Sequence, residues 1–222
     1  PFFLAMAWWA GRGQPPLTRG DALGAAGLGF IGYYLSSFLD FMGLQYITAS
    51  LERLIIYITP TLVLLLSWLL YRTPWRRAQL LGMGISYLGV ALVFGLEARL
   101  EGGNVPLGAL LVLLSTFTYA AYLVYSGQLV RRLGSLRLVG LATSVACLCC
   151  ILQFALLRPL GSAFEVAPQV LWLSVLNATL STAVPVLLVM MAIERVGPAL
   201  TAQVGMVGPL STIFMGVAIL GE

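Results

Sequence analysis

The sequence predicts an all-α fold, a polytopic membrane helix bundle, and three features predict it: composition, the spacing of apolar stretches and the placement of arginine. Of the 222 residues, 60% are hydrophobic and 9% charged, and the mean hydropathy is +0.97. That leaves too little polar surface to coat a water-soluble globule of this size. With lipid as the solvent, the backbone must satisfy its own hydrogen bonds, in helices or in a closed barrel. No stretch alternates apolar and polar residues with a period of two, which leaves helices.

Taken in order, the elements begin with an apolar run from Pro1 to Ala10 that would rise only about 15 Å, half a hydrocarbon core. It lacks a basic n-region and a small-residue cleavage site, so it reads as the inner half of a span and not as a signal peptide. Seven full spans follow, at about 22–44, 48–70, 78–95, 107–127, 138–157, 168–191 and 197–220. Each has roughly 18 to 24 residues, enough at ~1.5 Å per residue to cross a ~30 Å core. The chain stops at Gly221-Glu222 directly after an apolar run. A fragment is expected, lacking about the first one and a half helices and the last one.

All twelve basic residues are arginine, and nine fall in alternate gaps. Arg12 and Arg19 lie in one gap, Arg72, Arg76 and Arg77 in a second, Arg131, Arg132 and Arg137 in a third, and Arg195 in a fourth. Short arginine-bearing loops stay cytoplasmic, which makes the segments at about 11–21, 71–77, 128–137 and 192–196 internal. Trp8, Trp9, Trp68, Trp75 and Trp172 all fall near an expected membrane surface, where an amphipathic indole is favoured. The location implied is a membrane that the chain crosses several times. A net charge of +4 spread over short loops offers no tract for nucleic acid.

Connections are short: Gln45-Tyr46-Ile47 joins two spans outside, Glu194-Arg195-Val196 two inside. A longer external segment, 96–106, carries Glu97, Arg99, Glu101, Gly102 and Gly103 and divides the chain into halves, 1–95 and 107–222. Shifting the sequence by 149 positions lays Gly43–Thr73 on Ala192–Glu222 without a gap, Pro60 on Pro209 and Leu51 on Leu200. The aligned spans run in opposite directions, as an inverted-topology repeat with five helices per half requires.

The stretch Ala49-Ser50-Leu51-Glu52-Arg53-Leu54-Ile55-Ile56-Tyr57-Ile58-Thr59-Pro60-Thr61-Leu62-Val63, with the Arg-rich turn into Gln79-Leu80-Leu81-Gly82, resembles the first EamA-type repeat of the drug/metabolite transporter superfamily. Gly208-Pro209-Leu210-Ser211 through Leu220-Gly221-Glu222 resembles its second. One departure is visible: where the family often has Gly-Glu after the fourth span, as at 221–222, this chain has Arg72-Thr73. The resemblance implies two partial EamA repeats, 1–95 and 107–222, and a secondary transporter of ten helices working by alternating access. Export of a small metabolite or drug-like compound is the implied activity, with proton exchange as the coupling to test.

Charge inside a membrane costs a few kcal/mol per group and marks function first. Asp40 lies near the outer end of span 22–44, and Glu52 and Arg53 just inside the next, at equal depth in an antiparallel hairpin. Either an Asp40–Arg53 or Glu52–Arg53 pair staples the hairpin, or the surplus carboxylate takes up a proton. Proline removes a backbone bond: Pro60, Pro185 and Pro209 would free the carbonyls of Ile56, Ser181 and Gly205, for a kink or for a central cavity. Polar stripes at helical spacing add Tyr33 and Ser37, Arg53 and Tyr57, Ser115, Tyr119 and Tyr122, and Asn177 with Ser181. Gln203 adds an amide. The substrate-contact candidates are therefore Tyr33, Ser37, Arg53, Tyr57, Pro60, Tyr119, Asn177, Ser181, Gln203 and Pro209, with Asp40 and Glu52 as proton carriers. Satisfied interhelical hydrogen bonds would place the same polar groups inward.

With no histidine or lysine, no P-loop and no nucleophile elbow, the sequence offers no catalytic constellation, no metal site and no cofactor. Cys147, Cys149 and Cys150 share one apolar stretch and are expected to be buried packing thiols. Expected partners are a small-molecule substrate and the lipid bilayer, with a homo-oligomer left open. The competing reading is a membrane scaffold or sensor of the same fold that does not transport.

Overall fold

The computed structural model describes residues 2–94, 104–159, 161 and 167–208; among them the apolar stretches fold into helix and no strand occurs, while most of the expected span 197–220 lies outside the described residues. The helices are α1 (Phe2–Gly11), α2 (Arg19–Gly29), a π-helical stretch π1 (Phe30–Leu35), α3 (Ser36–Gly43), α4 (Ala49–Ile56), α5 (Thr59–Tyr71), α6 (Arg77–Phe94), α7 (Val105–Leu133) and α8 (Ser135–Leu157). Beyond them come α9 (Pro168–Leu176), a second π-helical stretch π2 (Asn177–Ala183), α10 (Val184–Val196) and α11 (Pro198–Gly205).

Five continuous stretches among the described residues are long and apolar enough to cross a membrane: Arg19–Gly43, Ala49–Tyr71, Val105–Leu133, Ser135–Leu157 and Pro168–Val196. Two of them outrun the expected spans at their arginine-bearing ends. The segments expected as loops at 128–137 and 192–196 are largely helical, interrupted by Gly134 (φ 74°) and followed by Gly197 (φ 85°). Hydropathy marks the membrane boundary, whereas the backbone stays helical into water until a residue with positive φ ends it.

Contacts divide the chain into two compact units. In the unit formed by Pro1–Leu35 and Tyr125–Arg195, α8 is the central rod, with α1, α2 and π1 laid against it. Val130, Leu138, Val139, Ala142 and Met190 are fully buried there. The closest approach is at Gly29, where an added Cβ would sit 2.1 Å from the Ala142 carbonyl oxygen. At the arginine-bearing end, Thr18 caps α2 by accepting from the Asp21 amide (3.2 Å) while its hydroxyl donates to Asp21 Oδ2 (2.6 Å). Arg132 completes this cluster, its Nη2 3.1 Å from Asp21 Oδ1.

In the unit formed by Ser36–Val124 and Val196–Glu222, α3 and α7 cross in antiparallel fashion at two points seven residues apart on each helix. Ser36 faces Ser115 at one point. At the other, Gly43 faces Gly108: a Cβ on Gly43 would lie 3.0 Å from the Gly108 carbonyl oxygen, and one on Gly108 3.1 Å from that of Gly43. Small residues at matching spacing permit this approach, as in other membrane helix pairs. The α11 helix packs against α5 and α6.

Irregularities recur at the same shift of 149 residues. The eight-residue α4 and α11 correspond end to end, as do their N-caps Thr48 and Gly197. Each helix closes on a matched residue, Tyr57 (φ −63°, ψ −10°) and Met206 (φ −66°, ψ −11°), and a tightened turn follows in both. The shift also carries π1 onto positions overlapping π2. Pro185, which cannot donate an amide, lies two residues beyond π2, while π1 contains Gly32 and no proline; a wide turn needs only that the i→i−4 ladder be weak.

Arg72 ends α5 in the left-handed conformation, φ 53° and ψ 30°, the only non-glycine residue with positive φ among those described. Its counterpart at the same shift is a glycine, Gly221, outside the described residues. Arg72→Gly should therefore raise thermal stability by about 1 kcal/mol, less whatever the Arg72 stack on Trp68 (5.7 Å) contributes. Melting of the purified protein checks this; an unchanged or lower midpoint contradicts it.

The three cysteines correct an expectation. All are free, Cys147 and Cys150 are exposed, and Cys149 is half-buried. A thiol is apolar enough to face acyl chains at little cost, so an apolar sequence context does not by itself put it in the core.

Candidate functional site

The α3–α4 hairpin brings the membrane charges together. Gly43 ends α3, a short turn follows, and Thr48 opens α4 by accepting a hydrogen bond from the Leu51 amide (3.3 Å). Glu52 sits in the first turn of α4, where the positive end of the helix dipole favours a carboxylate. It is buried, at 9% exposure. Asp40 on α3 is half-buried, and its Oδ1 is shielded from solvent with no hydrogen-bond partner. Asp40 and Arg53 both act electrostatically on Glu52, and Arg53 and Glu52 both act on Tyr57.

Arg53 is exposed and makes no ion pair with Asp40 or Glu52. The only ion pair among the described residues is the one between Arg132 and Asp21. Two acids thus sit near each other, shielded, with a guanidinium close but not clasped to either.

Beside this cluster, Ser36 and Ser115 form a reciprocal interhelical lock. The Ser115 hydroxyl donates to the Ser36 carbonyl (2.8 Å), the Ser36 hydroxyl to the Ser115 carbonyl (3.3 Å), and the two hydroxyls lie 3.2 Å apart. Further along α7, Tyr119 and Tyr122 stack at 5.8 Å and 25°, and Tyr122 is buried. The hydroxyls of Thr61 and Tyr87 are hydrogen-bonded across α5 and α6. The Gln203 side-chain amide donates to the Gln79 carbonyl (3.3 Å).

Pro60 is buried, and the Ile56 carbonyl that it leaves without an amide is not open to a ligand: the Thr59 hydroxyl donates to it. Thr59→Val keeps the shape but orphans that carbonyl. The expected cost is about 1–3 kcal/mol, measurable as a lower melting midpoint, whereas Thr59→Ser should be near neutral; equal midpoints for Val and Ser would refute the assignment.

The remaining candidates are distributed as follows. Ser37 is exposed, Tyr57, Tyr119 and Gln203 are half-buried. Tyr33 lies in π1, half-buried, and Asn177 and Ser181 lie in π2, both exposed; these three belong to the other compact unit. Pro209 lies outside the described residues. Sequence reasoning missed Ser36, Thr59 and the Asp21–Arg132 pair. Ser36 is adjacent to a candidate that was named, and only the crossing with α7 distinguishes them.

Known proteins resemble this chain along nearly its whole length. The EamA-like transporter family profile matches residues 1–95 and 106–222. A Bacillus subtilis (strain 168) protein described as "Uncharacterized transporter YcbK" is 32% identical over an alignment that covers 94% of this chain and 69% of that protein. A solved structure described as "Crystal structure of protein" matches with a TM-score of 0.74 at 22% identity, over 99% of this chain and 76% of its own, a likeness of fold.

Proposed function

The chain belongs to the EamA-like transporter family, and from that premise we propose that it exports a small metabolite or drug-like compound across the bacterial inner membrane in exchange for protons. It is a multi-pass membrane protein with a transporter role; substrate class, direction and coupling are the proposal. Two oppositely threaded EamA repeats, 1–95 and 107–222, provide the alternating-access device, and the matched breaks after α4 and α11 support it. Of the expected substrate contacts, Ser37, Arg53, Tyr57, Pro60, Tyr119 and Gln203 share the unit that holds the acid pair and contact the substrate in this reading; Tyr33, Asn177 and Ser181 belong to the other unit, and Pro209 lies outside the described residues.

The observation that carries the coupling is the acid pair: Glu52 buried, and Asp40 Oδ1 shielded and unpartnered, with Arg53 paired to neither. An acid without a clasped cation can take up and release a proton as its access to water changes. This favours the carrier role over the staple. The test uses full-length protein in proteoliposomes holding a pH dye. Solutes are first selected because they raise its melting temperature, since a ligand that binds only the folded state stabilises it. Solute movement should drive protons the opposite way; flux without proton movement would refute coupling, and no flux for any stabilising solute would favour a scaffold or sensor.

A further inference from the structure

At the arginine-bearing end of α1 and α8, two adjoining grooves share the same two guanidiniums. One, of about 430 Å³, is lined by Leu4, Ala7, Trp8, Leu17 and Leu141 together with Arg12 and Arg137. The other, of about 520 Å³, is lined by residues that include Gln14, Gly134 and Ser135 and also contains Arg12, Arg137 and Glu194.

The arginines are held ready without being neutralised. Arg12 lies over the face of Trp8, 3.6 Å from the ring centroid, and Arg137 Nη1 donates to Gln14 Oε1 (3.3 Å) and to the Pro15 carbonyl (3.1 Å). Neither forms an ion pair among the described residues. Stacking and carbonyl contacts fix the two side chains yet leave other N–H donors unused, since a guanidinium has five. Glu194, the carboxylate of the second groove, accepts the Ser135 amide (3.3 Å) and does not line the first.

We propose that the first groove binds an acidic phospholipid, the phosphodiester between Arg12 and Arg137 and an acyl chain along Leu4, Ala7 and Leu141. The chemistry is specific in two ways. A planar guanidinium pair matches phosphate oxygens, and basic pockets between membrane helices on the cytoplasmic side suit anionic headgroups. The apolar floor suits the chain of a lipid and gives nothing to a free phosphate. Trp8 and Trp9, both 64% exposed, set the groove at headgroup depth. The arginine distribution places this end in the cytoplasmic leaflet, where acidic lipids are found.

The experiment titrates phosphatidylglycerol into the full-length protein in phosphatidylcholine-containing detergent micelles and follows the melting midpoint. Phosphatidylglycerol should raise it saturably, whereas added phosphatidylcholine and inorganic phosphate should not. Arg12→Gln, at an exposed position, should raise the half-saturating concentration about fivefold, and Arg12→Gln with Arg137→Gln further still. Arg131→Gln, an exposed arginine outside the groove, should leave it unchanged. An equal response to phosphatidylcholine or phosphate overturns the site, as does an equal loss in Arg131→Gln or an unaltered response in Arg12→Gln.

Discussion

Glu52→Gln is expected to lower pH-gradient-driven transport by about tenfold or more, while exchange of solute across the membrane without a gradient continues. The reasoning is electrostatic. Glutamine keeps the size of Glu52 and its place in the first turn of α4, but it cannot bind and release a proton. Asp40 would then be the only acid left in the hairpin. Asp40→Asn should weaken coupling as well, and the double variant should lose it. If Arg53 instead stapled the hairpin through either acid, both variants would melt lower and keep the pH dependence of transport. An unaltered pH profile in both single variants would eliminate the proton-carrier role.

The largest stability effect should come from Gly29→Ala. The added methyl would lie 2.1 Å from the Ala142 carbonyl oxygen, a backbone atom on the central rod of its unit. Nothing flexible can yield, so α2 and α8 must separate. Overpacking of this kind costs about 3 kcal/mol or more. Gly27→Ala, two residues earlier, is the control: nothing lies within 4 Å of its Cβ position, and the gain in helix propensity is up to about 1 kcal/mol. Thermal melting of the two variants in the same detergent should move in opposite directions. A Gly29→Ala protein that melts with the parent would show that the helices are not in contact there.

Helicity and five of the seven expected spans were legible because lipid imposes a simple rule: about twenty apolar residues, bounded by arginine and tryptophan. The stretch expected at 78–95 is helical but is not among those long and apolar enough to cross, and most of 197–220 lies outside the described residues. The break after α4 was legible too, since Pro60 announces it. The ends of α7 and α10 were not. Their arginines mark where lipid stops, and only Gly134 and Gly197 mark where the helix stops. The contact of Gly29 with Ala142 was not legible, because which helices meet is not a local property. Ser36 and Ser37 differ by one position, about 100° around a helix, and the crossing with α7 selects Ser36. The two π-helical stretches left no periodic trace, because hydropathy alone does not distinguish a wide turn from an ordinary one.

Those stretches have a consequence for how the gene can change. A wide turn stores one residue more than the ordinary ladder needs while leaving the faces downstream in register. Deleting a residue between Phe30 and Leu35, or between Asn177 and Ala183, should therefore be absorbed by local rewinding. The same deletion one turn away would swing the rest of that helix by about 100°. Single-codon losses should accordingly survive at these two places and be purged on either side of them.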